Sequence, residues 1–535
     1  MQINEESGTE IVLATINSTY QHTAFGLRYL QSNLAELKSR SLIKEFTLEK
    51  SPELIALELL NLQPKIIGLG IYIWNAEQSL ELVQILKVQA PHVIIVIGGP
   101  EVSYESEKQE IVQLADYLIQ GEADFQFRDL CRELLSPDSQ SASDPAFGIK
   151  SQKIVPPKLP EIKSLESPYR LYSDDDIKNR YIYVEASRGC PYRCEYCLSS
   201  LDKSVRSFDL EIFLGEMDHL ISRGARQFKF IDRTFNLSPA TSTKILRFFL
   251  DRIHLNLFLH FEMVPDRLPQ ELRELIIQFP AGSLQFEIGI QTFNPEVAKN
   301  VSRKNDMVKV RENFEFLRTK TGVHTHADLI VGLPGEDLKS FGQGFDELVQ
   351  LGPQEIQVGI LKRLKGTPIV RHEKAFQLIY SDKAPFQILS TNDVSADEIQ
   401  FMARFAKYWD LIANSGQFPQ TSSYLKSQTS AFREFSRLSD YLFQHLGRSH
   451  GVPLLKYAEL LFDYLKNVHQ LSEEKAREML FFDYCQMGNR TPPNFLRSSK
   501  IKTSFHEVSG SKLKSAIPLR QRRHLQGAQK NHGMD

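Results

Sequence analysis

A chain of 535 residues is long for one hydrophobic core, so two or three domains are expected. An apolar fraction of 41%, a charged fraction of 24% and a formal net charge of −2 describe an ordinary globular protein without electrostatic bias toward nucleic acid or membrane. Five cysteines make no disulfide framework, the start "MQINEESGTE" has no signal-peptide pattern, and no apolar run nears the ~20 residues of a membrane helix; these point to the cytoplasm.

Residues 9 to 135 alternate short β-branched runs with amphipathic segments. "EIVLATIN", "KIIGLGIYIW", "HVIIVIGGP" and "DYLIQGEAD" read as strands; "AFGLRYLQSNLAEL", "AEQSLELVQILKVQ" and "FQFRDLCRELL" read as helices. The order predicts an α/β domain over 1–135, a doubly wound parallel sheet with right-handed crossovers. Small residues follow its strands at Gly70, Gly98, Gly99 and Gly121, where open sheets bind ligands. Residues 136–176, rich in Ser, Pro and Asp, read as a linker.

Over 177–395 the alternation resumes on a larger scale, with strands at "YIYVEAS", "QFKFID", "FLHFEM", "SLQFEIGIQ", "HTHADLIVGL" and "EIQVGIL". Six strands in βα order predict a partial (β/α)6 barrel, whose chemistry sits at the C-terminal strand ends. Residues 396–496 read as a helical domain, with "YLKSQTSAFREFSRLSDYLFQHL" as one of its segments. The stretch 497–535 holds nine Lys/Arg against two Asp/Glu and reads as a basic disordered tail.

The first barrel strand runs into "SRGCPYRCEYCLSS", which places Cys190, Cys194 and Cys197 within eight residues. A structural zinc site wants four ligands, usually with a second cysteine pair, and none is present: Cys131 and Cys485 stand alone and read as buried structural thiols. An iron–sulfur cluster normally takes four thiolates, so three leave one coordination position open, the mark of a catalytic site.

"CPYRCEYC" resembles the cluster motif of the radical S-adenosylmethionine (SAM) superfamily. The resemblance implies a 4Fe–4S cluster on Cys190, Cys194 and Cys197, with the open iron taken by the amino and carboxylate groups of SAM, whose reductive cleavage yields a 5′-deoxyadenosyl radical. It also implies SAM contacts along the barrel. Tyr196 precedes the last cysteine, Asp232 in "FKFIDRTFN" meets the methionine amino group, and Glu262 and Gln291 lie near the ribose. Arg303 binds the methionine carboxylate, and Gly332 and Gly335 shape the turn beside the adenine. Arg233 stands where related enzymes often carry a second acid.

"IIGLGIYIW", "VIIVIGGPEVSYE" and "YLIQGEADFQFRDLCREL" resemble the cobalamin-binding domain that precedes the barrel in one subgroup of that superfamily. Gly70, Gly98, Gly99, Gly121 and Glu122 are the implied cobalamin contacts. In "TYQHTAFG" Tyr20 replaces the acid of the cobalt-ligand motif and Gly26 falls one residue late, so His22 is not expected to ligate cobalt. A flavodoxin-like domain with another nucleotide, or none, is the alternative. Residues 396–496 resemble a C-terminal domain found in some of these proteins.

The function implied is a cobalamin-dependent radical enzyme acting on a small molecule or metabolite, methylating or rearranging an unactivated carbon, with flavodoxin or ferredoxin as electron donor. The alternatives are a radical oxidoreductase or cyclase without methyl transfer, and an iron–sulfur nucleic-acid-binding protein using the basic tail. No catalytic side chain is legible beyond these cofactor contacts.

Overall fold

The computed structural model describes residues 8–136, 149–486, 490–497 and 518–531. The chain divides into two units: the first holds Met1–Asp232, Lys362–Val370 and Ser381–Gln387, the second Arg233–Leu361, Arg371–Tyr380 and Ile388–Asp535.

In the first unit, β-branched runs buried on both faces form a six-stranded parallel sheet. Its strands are β1 (Ile11–Asn17), β2 (Ser41–Thr47), β3 (Ile66–Gly70), β4 (Ile94–Gly98), β5 (Tyr117–Ile119) and β6 (Ile154–Val155), in the order β2-β1-β3-β4-β5-β6. Alternate side chains feed two apolar layers. Val12, Ile67 and Ile95 pack on one face with Ile55 and Leu82, and Leu13, Ile66 and Val96 on the other with Leu27 and Phe127. The strand order reverses between β1 and β3, which leaves a crevice at their C-terminal ends.

Two of these strands depart from the sequence reading. β2 is a half-buried edge strand carrying Lys44 and Glu45, without the apolar alternation that marks a strand. β6 lies inside the expected linker, where Ile154 and Val155 pair with Leu118 and Ile119. Residues 137–148 of that linker lie outside the described residues.

The same unit holds β7 (Ile182–Val184), β8 (Ser187–Arg188), β9 (Arg206–Ser207) and β10 (Gln227–Phe230). β10 pairs parallel with β7, while β8 and β9 form a short antiparallel ladder.

In the second unit β11 (Phe258–Met263), β12 (Leu284–Gln291), β13 (His324–Val331) and β14 (Glu355–Ile360) run parallel in that order. All six expected barrel strands are therefore strands in the structure. Helices Gln270–Ile276, Met307–Lys320 and Leu338–Leu351 connect those of this unit.

The helical region begins with Ala396–Trp409, which continues as a π-helix over Asp410–Asn414. The Asn414 amide bonds both the N–H and the carbonyl of Ile356 at 3.0 and 2.8 Å, which satisfies the outer edge of β14. The segment read as one helix is two, Pro419–Lys426 and Ala431–Leu446, the second started by the Ser430 cap. Within the expected tail, Leu519–Asn531 is a helix bonded to Asn414 and Glu355 of the same unit, while residues 498–517 and 532–535 lie outside the described residues. Composition reads such a segment as disordered because it has little apolar surface to bury. No described helix is long and apolar enough to cross a membrane.

Candidate functional site

The first unit contains a cavity of about 740 Å³ at the C-terminal ends of β1, β3 and β4. Asn17, Gly70, Gly98 and Gly99 line it, as do Gly121 and Glu122 after β5. Tyr72 and Trp74 line it too, their rings stacked with centroids 4.5 Å apart and 5° between planes. The opposite wall comes from Tyr183, Glu185 and Arg188, and from Leu198 and Ser199 directly after Cys197. A largely apolar pocket of this size suits a large cofactor.

The glycines differ in their reasons. Gly99 has φ +110°, and a Cβ there would fall on the carbonyl oxygen of Ile71, so the fold itself requires glycine. Gly121 has φ +72° and would meet Pro157. A Cβ at Gly98 would press on the Ile119 carbonyl oxygen at 3.3 Å, and one at Gly70 would touch Thr15 and Tyr72 at 3.4 Å, so both sites are close-fitting without a forced left-handed backbone. The Glu122 carboxylate is paired with Arg188 at 2.8 Å and with Arg206. His22 also lines the cavity. Its Nδ1 lies 2.5 Å from the Tyr183 hydroxyl, and burial, with Lys229 and Arg180 nearby, lowers its pKa and favours the neutral ring.

β8 and β9 bracket the cysteine loop. Gly189 enters it at φ +93°, where a side chain would strike Ser204, and the Cys190 N–H donates to the Asp202 carbonyl at 3.0 Å. A tight turn follows, with Cys197 N–H on the Cys194 carbonyl at 3.1 Å. Cys190 and Cys194 are buried, while Cys197 and Tyr196 are half-buried. Ile369 N–H donates to the Glu195 carbonyl at 3.0 Å and ties the loop down.

Asp232 is fully engaged in this frame. Its Oδ2 accepts from Ala186 N–H at 2.9 Å and its Oδ1 from the Ser187 hydroxyl at 2.6 Å. Burial raises its pKa to about 6 against those bonds. The carboxylate thus anchors the strand that leads into the loop, and a methionine amine would have to share it.

The second unit brings Gln291 and Arg303 together. β12 bulges between Gly289 and Gln291, Gln291 sits at φ +76°, and Arg303 donates to the Gly289 carbonyl. Glu262 pairs with Arg233 at 3.1 Å, so the arginine that replaces an acid in the sequence pairs with the neighbouring strand's glutamate. Gly332 and Gly335 have φ +86° and +85°, and the Asn300 amide donates to the Pro334 carbonyl between them at 2.9 Å.

Sequence reading missed several polar groups here. Glu336, the last residue of "GLPGE", is buried, accepts from the Thr292 hydroxyl at 2.7 Å and has its pKa raised to about 7 by burial. Along β11 to β14, His260 pairs with Glu287 at 2.8 Å, His326 with Asp328 at 3.4 Å and His324 with Glu355 at 2.9 Å. Alternate polar positions in "QFEIGIQ" and "HTHADLI" were the available signal.

Residues 11–130 match the B12 binding domain, 184–348 the Radical SAM superfamily, and 374–531 a family described as protein of unknown function (DUF4080). The chain thus carries a cobalamin-binding-type domain, a radical SAM domain and a C-terminal domain that extends through the tail helix. The cobalamin-dependent radical SAM methyltransferase TokK of Streptomyces tokunonensis is 23% identical over 442 residues, covering 75% of this chain and 61% of TokK.

Two solved structures share the fold. TsrM from Kitasatospora setae, with cobalamin and a 4Fe–4S cluster bound, superposes with a TM-score of 0.54 at 16% identity, over 68% of this chain and 74% of that one. OxsB, with aqua-cobalamin and SAM bound, gives 0.58 at 15% identity, over 89% and 78%. The domains imply a 4Fe–4S cluster, SAM and cobalamin. The residues present fit: three closely spaced cysteines supply thiolate donors, and the cavity has the size and apolar walls for a corrin.

Proposed function

We propose that the chain is a cobalamin-dependent radical SAM methyltransferase that acts on an unactivated carbon of a small molecule. The observation that carries this reading is a shared wall: Leu198 and Ser199, directly after Cys197, line the same cavity as Gly70, Gly98 and Gly99. When bound, the cluster and SAM supply a hydrogen-abstracting radical and cobalamin a transferable methyl group.

In this reading Cys190, Cys194 and Cys197 hold the cluster. Gly70 and Gly98 let the corrin approach the sheet, and Tyr72 and Trp74 offer it a flat apolar surface that excludes water. Gln291 and Arg303 orient SAM, the guanidinium of Arg303 gripping the carboxylate. Gly332 and Gly335 turn the backbone beside the adenine. Tyr196, Glu262 and Glu122 belong to the same set, Glu122 acting through its pairs with Arg188 and Arg206. A low-potential donor such as flavodoxin or ferredoxin is the expected electron source.

The test is an anaerobic preparation supplied with cobalamin, SAM and a reductant. Absorbance bands of both cofactors, with formation of both 5′-deoxyadenosine and S-adenosylhomocysteine, are expected. 5′-Deoxyadenosine alone would replace methyl transfer by a cyclase or rearrangement, and absence of cobalamin bands would remove the reading.

A further inference from the structure

The C-terminal helix Leu519–Asn531 sets its described side chains against the N-terminal ends of β12 to β14. Gln521 bonds Gln285, and Arg520 forms ion pairs with Glu355 Oε2 at 2.8 Å and with Asp410, while its Nε donates to the Asn414 carbonyl at 3.1 Å. His524 stacks edge-on against His324 at 5.1 Å and 60°. Its Nε2 lies 2.7 Å from the Asn414 carbonyl oxygen.

These contacts gather three ligating side chains at one point. His324 Nε2 is 2.9 Å from Glu355 Oε1, and His524 Nε2 is 3.9 Å from the same oxygen. The three ligand atoms all lie within 4.8 Å of one another. Metal–ligand bonds of about 2.0–2.1 Å in a tetrahedron separate neighbouring ligands by about 3.3 Å. The separations of 2.9 and 3.9 Å straddle that value. His324 and Glu355 are buried and His524 nearly so, which limits competition from water.

We infer that His324, Glu355 and His524 form a zinc site that clasps the C-terminal helix to the strand ends. Two imidazoles and a carboxylate suit zinc, whereas the iron–sulfur cluster takes thiolates. Arg520 fits this arrangement. By pairing with Glu355 Oε2 it turns Oε1 toward the two histidines, as outer partners orient metal-bound carboxylates. Its three protein donors come from two neighbouring strands and the C-terminal helix, and a water would take the fourth position. The site does not depend on the methyltransferase reading.

The competing arrangement is a hydrogen-bonded clasp, with His324 donating to Glu355 and His524 to the Asn414 carbonyl. The experiment uses the full chain carrying its iron cluster and cobalamin, incubated with zinc, desalted and assayed for zinc and iron. About one tightly held zinc per chain is expected. His524→Gln keeps a side-chain N–H for the Asn414 carbonyl but ligates poorly, so zinc affinity against a chromophoric chelator should fall about 100-fold or more. Glu355→Gln and His324→Gln should do the same with iron and cobalamin retained. Wild-type protein that holds no more zinc than His524→Gln overturns the site and leaves the clasp alone.

Discussion

Arg188 Nη1 lies 2.8 Å from the Glu122 carboxylate, and the same guanidinium reaches Asp124 at 3.2 Å and Glu185 at 2.9 Å. Its plane also covers the Tyr29 ring at 4.4 Å. One residue of the strand entering the cysteine loop therefore neutralises the acids that follow β5. Arg188→Met should leave these carboxylates without their common partner and cost about 3–5 kcal/mol. Arg188→Lys should recover only part, since an ammonium cannot reach several acids in a planar fork. Urea unfolding of both variants checks this, and a midpoint that does not move would show that Asp124 and Glu185 do not need this partner.

Cluster loading should separate the cysteines sharply. Cys190→Ala, Cys194→Ala and Cys197→Ala are each expected to abolish iron retention and SAM cleavage. Cys131 and Cys485 have their thiol pKa values pushed up by burial to about 12 and about 11, so they stay protonated and should tolerate Ala. Iron assay after anaerobic reconstitution decides, and iron loss in Cys485→Ala equal to that in Cys194→Ala would contradict the assignment.

Filling the cavity should block cobalamin without disturbing the sheet. Gly26 lines the cavity, and a Cβ there meets only the Tyr72 hydroxyl at 3.6 Å. Gly26→Trp should therefore abolish cobalamin absorbance while iron stays bound. Gly99→Trp is a poor probe, because its positive φ and the Ile71 carbonyl make it a folding defect. His22→Ala should leave most binding intact, and loss of cobalamin there would assign the imidazole a direct role.

What the sequence made legible follows from how each feature is encoded. β1, β3 and β4 declare themselves because strands buried on both faces are continuous apolar runs. β2 does not, since Lys44 and Glu45 reflect an edge strand and Glu45 is neutralised by Arg28 and Arg180 far along the chain. The cysteines are local in sequence and could be read directly. Asp232 could be placed at a strand end, but its bonds to Ala186 and Ser187 could not be read, because those partners lie more than forty residues away. Gly99 has a second reason that the sequence does not carry: its positive φ and the close approach of the Ile71 carbonyl require glycine whatever fills the cavity. The tail helix is invisible to composition, because individual polar contacts at Arg520, Gln521 and His524 hold it.

Arg303 combines two roles that one substitution can separate. It already donates to the Gly289 carbonyl, which positions the guanidinium beside Gln291. If it also grips the SAM carboxylate, Arg303→Ala should weaken SAM binding by about 1.5–3 kcal/mol with the cluster assembled normally. Arg303→Lys should keep the charge and lose the bidentate grip, giving an intermediate affinity. Titration of SAM into the reconstituted variants measures both, and unchanged affinity in Arg303→Ala would confine the residue to its bond with Gly289.

Asp483 gives a pH dependence that one substitution can isolate. Its oxygens accept from the N–H groups of Gln420 and Thr421, each at 2.9 Å, at the start of the helix Pro419–Lys426. Burial nevertheless raises its pKa to about 7 from an ordinary value of 3.8. Between those values the folded chain holds a proton that the unfolded chain has lost, so the stability this group contributes falls as pH rises through the window. The slope is at most about 1.4 kcal/mol per pH unit. Asp483→Asn keeps one acceptor oxygen and removes the titration. The variant should be less stable than wild type at pH 5.5 and recover relative to it by pH 7.5. Groups common to both proteins cancel in that difference, which unfolding curves at several pH values measure. A gap constant across the range would mean that the two backbone N–H groups hold the carboxylate ionised despite its burial.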